Sequence, residues 1–217
     1  MFPNAAKGIK KIFTAEILAL IAAILVIVGI VLGVVGVAAA AADSAGGAIA
    51  GLGGAGVLLL ISGILAIIAA VLELVGIINA SKDEAAFKIA LYAIIAGVVI
   101  SVVSTIFSST AAVVSICDIL SKIAKIVVTV FIIQGVINLA KKVNNEAVAK
   151  KGNSLLYIIT CIYILSAIAS IVVATFGGYA ASVIAGVIAI VAAVLEVVQY
   201  VLFLVLLSQA KKMLAQA

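Results

Sequence analysis

Six long apolar runs, each closed by a short polar cluster, set the rhythm of this chain. They cover residues 12–41, 48–80, 86–107, 119–140, 155–176 and 181–210. A helix that crosses a bilayer needs about 20 mostly apolar residues at 1.5 Å of rise each. Every run meets that length, and none shows the roughly 10-residue alternation of an outer-membrane barrel strand. The pattern therefore predicts an all-α polytopic membrane protein, with residues 1–217 forming a single bundle of six transmembrane helices in three antiparallel hairpins. Pro3 is the only proline, so no run is forced to kink by that route, and the proline-centred signatures of mitochondrial carriers are absent.

Lysines fix the expected orientation. Lys7, Lys10 and Lys11 precede the first run; Lys82 and Lys88 lie between the second and third. Lys141, Lys142, Lys150 and Lys151 lie between the fourth and fifth, and Lys211 and Lys212 follow the sixth. With six crossings these fall on one side, and only Lys122 and Lys125 lie towards the other. Basic loops stay in the cytoplasm, so both termini are expected there, in a bacterial-type plasma membrane. Phe13, Phe87, Tyr92 and Tyr157 then mark the inner interface, and Phe107, Phe176 and Tyr179 the outer one. The first run is too long for the apolar region of about 7–15 residues in a signal peptide. The connections on the outer side read as ADSAGGA, SSTAAVVSICD and GGYAA, and the largest inner one as KKVNNEAVAKKGNS.

Two runs carry nearly the same decapeptide. AIIAAVLELV (66–75) and AIVAAVLEVV (189–198) align Glu73 with Glu196, and the match extends back to align Gly63 with Gly186. The second and sixth runs cross in the same direction, so this is a parallel internal repeat rather than the inverted repeat of many transporters. Small residues recur at steps of three and four. Gly29, Gly33 and Gly36 lie in the first run, Gly63 and Gly76 in the second, and Gly186 in the sixth. Such faces let membrane helices approach closely, and these glycines are the expected packing positions. The same spacing puts both glutamates on the close-packing face.

An acid within a membrane span costs about 2.5–3.5 kcal/mol on insertion scales, so it needs a proton or a partner. Glu73, Glu196, Lys125 and Gln199 are the candidates for an ion, proton or structural site, with a Lys125–Glu196 pair at similar depth. Ser101, Ser104, Thr105 and Ser108, and Thr160, Ser166 and Ser170, form hydroxyl stripes in the third and fifth runs. Hydroxyls in such places commonly bond their own helix. Gln134 and Asn138 stand in the fourth run, which has no glutamate.

Composition narrows the chemistry further. Hydrophobic residues make up 68% and charged residues 10%, against about half and a quarter in a soluble domain. Mean hydropathy is +1.54. With no His and no Arg, the commonest metal ligand and the bidentate phosphate clamp are both missing. No HExxH, GxSxG or P-loop pattern occurs, so no catalytic residue, metal or cofactor is expected. The net charge of +5 belongs to membrane orientation, and no nucleic-acid partner is expected. Cys117 falls in a predicted outer turn and Cys161 inside the fifth run, too far apart to bridge. The partners expected are the bilayer and either further copies of the chain or a membrane complex. A structural or interaction protein leads this reading, and a small ion- or proton-coupled transporter or channel is the alternative.

Overall fold

A computed structural model describes residues 2–42, 45–176 and 178–216, and their side chains apart from 45, 48, 111, 166, 167, 169–185 and 189. Six helices follow one another: α1 (Pro3–Ala41), α2 (Ala45–Ala80), α3 (Ala86–Ile106), α4 (Ala111–Lys142), α5 (Glu146–Phe176) and α6 (Gly178–Gln216). The described residues contain no strand. Among the described residues, five helical segments are long and apolar enough to cross a membrane: Pro3–Ala41, Ile49–Ala80, Ala86–Ile106, Glu146–Leu165 and Gly186–Gln216. Helix α4 is not among these five. It carries Asp118, Lys122, Lys125, Lys141 and Lys142, and it buries Ile132, Ile133, Val136 and Ile137 against its neighbours.

The helices outrun the apolar stretches at several ends. Pro3 opens α1 nine positions before the predicted span, where its fixed φ suits a first turn and its missing N–H costs nothing. Asp43 and Gly177, the expected ends of the first and fifth spans, lie outside the described residues. The expected outer loop SSTAAVVSICD is mostly helix, because α4 begins at Ala111. Cys117 is therefore a buried helical residue rather than part of a turn, and both cysteines are free.

The long inner connection also shrinks. Only Val143, Asn144 and Asn145 separate α4 from α5. The Asn145 N–H donates to the Ala140 carbonyl at 2.8 Å, and the Asn144 N–H to the Lys141 carbonyl at 3.1 Å. This is the Schellman end of a helix, and Asn144 takes the left-handed conformation it requires, with φ 55°. Asn145 then caps α5, its Oδ1 accepting the Val148 N–H at 3.1 Å. Two consecutive asparagines thus end one helix and start the next, where polar composition alone suggests a loop.

The chain divides into two compact units: residues 1–9 with 77–217, and residues 10–76. In the smaller unit α1 and α2 meet through glycine. A Cβ on Gly36 would stand 2.7 Å from the Leu52 backbone nitrogen, and one on Gly51 would stand 2.5 Å from Gly36 Cα. Only glycine permits this backbone contact. Gly29 lies against Ala55 and Leu59, and Gly33 against Ala55. Much of this unit presents large apolar side chains outward, with Leu60 71% and Ile67 67% exposed. Water would penalise such a surface and lipid does not.

The larger unit keeps its core near the lysine-bearing helix ends. Phe87, Ile132, Ile133, Ile137, Leu139, Leu155, Ile162, Leu206 and Leu207 are fully buried there. Phe87 fills the space that a Cβ on Gly135 would need, approaching it to 2.5 Å. Ile137 presses on Gly152 in the same way. Phe87 is therefore a core residue and not an interfacial marker, because the glycine opposite gives its ring a pocket. Tyr92 and Tyr157 do stand outward, 66% and 75% exposed. The side chains of Phe176 and Tyr179 lie outside those described.

Candidate functional site

The turn between α2 and α3 continues in helical hydrogen bonds. Ser81, Lys82, Asp83 and Glu84 donate their N–H groups to Ile77, Asn79, Ala80 and Ala80 carbonyls. This winding leaves Lys82 exposed and turns Glu84 inward, where it is 7% exposed. Glu84 Oε2 accepts from Lys142 Nζ at 2.6 Å, and Oε1 accepts from Asn138 Nδ2 at 2.9 Å. The Ala86 N–H adds a weak bond at 3.5 Å. Gln134 Nε2 donates to Asn138 Oδ1 at 3.0 Å, which orients that amide to donate to the carboxylate. Lys142 Nζ also lies 5.7 Å from the centre of the Phe2 ring, within range of a cation–π attraction.

Asp83 works beside it on the start of α1. Its Oδ2 accepts the Ala5 N–H at 2.8 Å and its Oδ1 accepts Asn4 Nδ2 at 2.9 Å. The first N–H groups of a helix have no partner within it, and a carboxylate there also meets the positive end of the helix dipole. Asp83 thus caps α1 from 78 positions away.

Burial pushes the Glu84 carboxyl up, but the bonds from Lys142, Asn138 and Ala86, with the lysine charge, outweigh it and hold the group below the usual carboxylate range. At Asp83 burial likewise acts upward, and the bonds from Asn4 and Ala5 carry the balance downward. Both acids stay ionised near neutral pH. A carboxylate held by three donors is a fastener, not a proton donor or base. No buried side-chain nitrogen or oxygen among the described residues lacks a partner.

The sequence-predicted residues are not gathered with this cluster. Glu73 is half-buried on α2 and Glu196 is exposed on α6. Lys125 is exposed on α4, and no ion pair joins it to Glu196. Gln199 is half-buried one turn beyond Glu196. Of the glycines, Gly29, Gly33 and Gly36 pack against α2, and Gly76 is buried. Gly63 and Gly186 have no atom within 4 Å of where a Cβ would stand. Ser101, Thr105 and Thr160 donate to the Gly97, Ser101 and Leu156 carbonyls of their own helices. The side chains of Ser166 and Ser170 lie outside those described. No three His, Cys, Asp or Glu residues gather as metal ligands among the described residues.

Asp83, Glu84 and Lys142 escaped the sequence reading as site residues, because SKDE and KK both read as solvated ends. One signal was available. Gln134, Asn138 and Lys142 recur every four residues, a single polar stripe on α4 that calls for a polar partner.

No protein-family model matches this chain, no curated protein matches it, and no solved structure matches it. Its class rests on the helices themselves. Five segments long and apolar enough to span a bilayer point to a helical membrane protein.

Proposed function

We propose that the chain is an integral membrane protein with a structural or interaction role, without enzymatic activity, that assembles with copies of itself or with a membrane complex. In this reading all six helices cross the bilayer as three antiparallel hairpins, α4 included, and the lysine-bearing ends and both termini face the cytoplasm of a bacterial-type plasma membrane. Contacts in descending register support the pairing: Gly29 with Leu59 and Gly36 with Leu52, then Phe87 with Gly135 and Gly97 with Ala124. Exposed Ile116, Ile119 and Ile123 give α4 an outward apolar face as well.

The observation that carries the assembly is the fate of the aligned glycines. Gly36 and Gly51 bring two helices into backbone contact, whereas Gly63 and Gly186, at matching points of the repeat, lie open on apolar helices. Each leaves room for the close approach of a further helix. Light scattering of the protein in mild detergent is expected to show an oligomer or a retained partner. A monodisperse monomer with no partner overturns the reading.

A second reading, a small ion- or proton-coupled transporter or channel, is favoured by Glu73 alone: an acid half-buried in an apolar span. Proteoliposomes would show ion or proton flux that Glu73→Gln with Glu196→Gln alters; flux unchanged in the double variant removes both acids from it.

A further inference from the structure

The α4–α5 turn carries a cleft of about 420 Å³, lined by Lys141, Asn144, Glu146, Ala149, Lys150 and Asn153. The structural cluster uses none of these side chains. We propose that this cleft binds the phosphodiester headgroup of a singly charged anionic phospholipid. The proposal rests on the bilayer reading of the chain, and it is independent of assembly.

Charge is the first argument. Two lysines and one glutamate give the lining a net charge of +1, matched to one phosphodiester rather than to a doubly charged phosphate monoester. The only ion pair within the lining is weak: Lys150 and Glu146 stand 3.8 Å apart with both side chains at least 80% exposed. Exposed pairs of this kind contribute little, so Lys150 is available to a stronger anion. Lys142, by contrast, is committed to Glu84 and does not line the cleft.

Shape is the second argument. The cleft is built on a turn that is already set. The Schellman end of α4 fixes Asn144 at φ 55°, and the Asn145 cap fixes the first turn of α5. A site formed before its ligand arrives avoids part of the ordering cost of binding. Asn144 and Asn153 add amide donors for phosphate oxygens, and Glu146 is an acceptor for a headgroup hydroxyl.

Depth is the third. Asn153 lies four residues before the outward-facing Tyr157, about 6 Å along α5. Exposed tyrosines settle at the level of headgroups, and beyond Tyr157 the helix is apolar. The cleft thus opens where a phosphodiester lies when its acyl chains follow α5 into the bilayer.

The test uses the full-length protein in mild detergent, with bound lipid counted by native mass spectrometry. Phosphatidylglycerol is expected to be retained in preference to phosphatidylcholine. Lys141→Gln with Lys150→Gln should weaken retention about tenfold or more, since each lysine near a surface is worth about fivefold. Lys82→Gln with Lys88→Gln removes the same charge from the α2–α3 turn and the start of α3, and should leave retention within about twofold. Equal retention of both lipids, or equal loss in both variants, overturns the proposal. Displacement of the lipid by an equimolar concentration of inorganic phosphate would make the cleft a free-phosphate site and also overturn it. Alkaline extraction of native membranes separates the two readings. A chain released into the supernatant fails as a membrane protein, whereas one that stays in the pellet without lipid preference fails only here.

Discussion

Lys142 and Glu84 stand 58 positions apart in sequence and 2.6 Å apart in space, the lysine on the last turn of α4 and the acid on the turn before α3. Asn138 completes the fastening from one turn earlier on α4. The lysine is 47% exposed, so the ion pair alone contributes modestly. The buried carboxylate matters more, because its donors lose their acceptor when it goes. Glu84→Ala is expected to cost about 1–3 kcal/mol of stability. Glu84→Gln should cost less, because an amide oxygen still accepts from Asn138 or Lys142. Thermal unfolding in detergent checks both, and an alanine variant as stable as the parent refutes the clasp.

Acidity should loosen the same end of the molecule. Glu84 and Asp83 both have folded-state values below their ordinary ones, near about 4.3 and 3.9 in an unfolded chain. Groups shifted downward contribute stability that is fully present above the unfolded value. It is lost as pH falls through the folded value. Melting temperature should therefore hold between pH 7 and about 5 and fall below that. In the Asp83→Asn, Glu84→Gln double variant the acid-induced fall should be smaller. A parent protein whose stability rises as pH drops from 5 to 3 would contradict the assigned sign.

Sequence patterning carried the helices well and the site poorly, for a physical reason. Apolar runs announce themselves through hydropathy, so five helices contain their predicted spans whole and α3 falls short of its span only by Phe107, its C-cap. Their lysine-bearing ends were missed because a helix can continue through a mostly polar stretch on a few small or scattered apolar contacts, as α5 does through Val148, Ala149 and Gly152 before Leu155. The repeat drew attention to Glu73 and Glu196, acids made conspicuous by apolar neighbours. Glu84 lay hidden in SKDE, where one residue of helical winding decides whether an acid meets solvent or a core. Hydrophobic pattern reports which face meets lipid, and not which of four polar residues in a turn points inward. The α4 stripe of Gln134, Asn138 and Lys142 was the missing half of that information.

Glycine substitutions should separate contacts within the chain from surfaces left for others. An alanine Cβ at Gly36 would stand 2.7 Å from the Leu52 nitrogen and 2.9 Å from the Gly51 carbonyl carbon. Backbone cannot yield as a side-chain tip can, so α1 and α2 must separate. Gly36→Ala should destabilise the protein by about 1–3 kcal/mol. Gly63→Ala meets open space and should leave the monomer's melting temperature unchanged or slightly higher, since alanine favours helix. If another copy packs at Gly63, the same change should weaken self-association, read as a shift toward smaller species at low protein concentration in detergent. A Gly36→Ala protein with unaltered stability would refute the close approach.

The two repeated glutamates should behave unequally, although their sequence surroundings are nearly identical. Glu73 is half-buried and Glu196 exposed. A change of charge acts through the medium around it, so burial and not local sequence sets the effect. Glu73→Gln removes a carboxyl from a partly apolar setting and should shift stability measurably. Glu196→Gln should stay within about 0.5 kcal/mol of the parent, as exposed substitutions usually do. Unfolding of the two single variants in the same detergent makes the comparison direct. Equal effects would mean that the shared decapeptide creates the same environment twice, and that the repeat extends from sequence into packing.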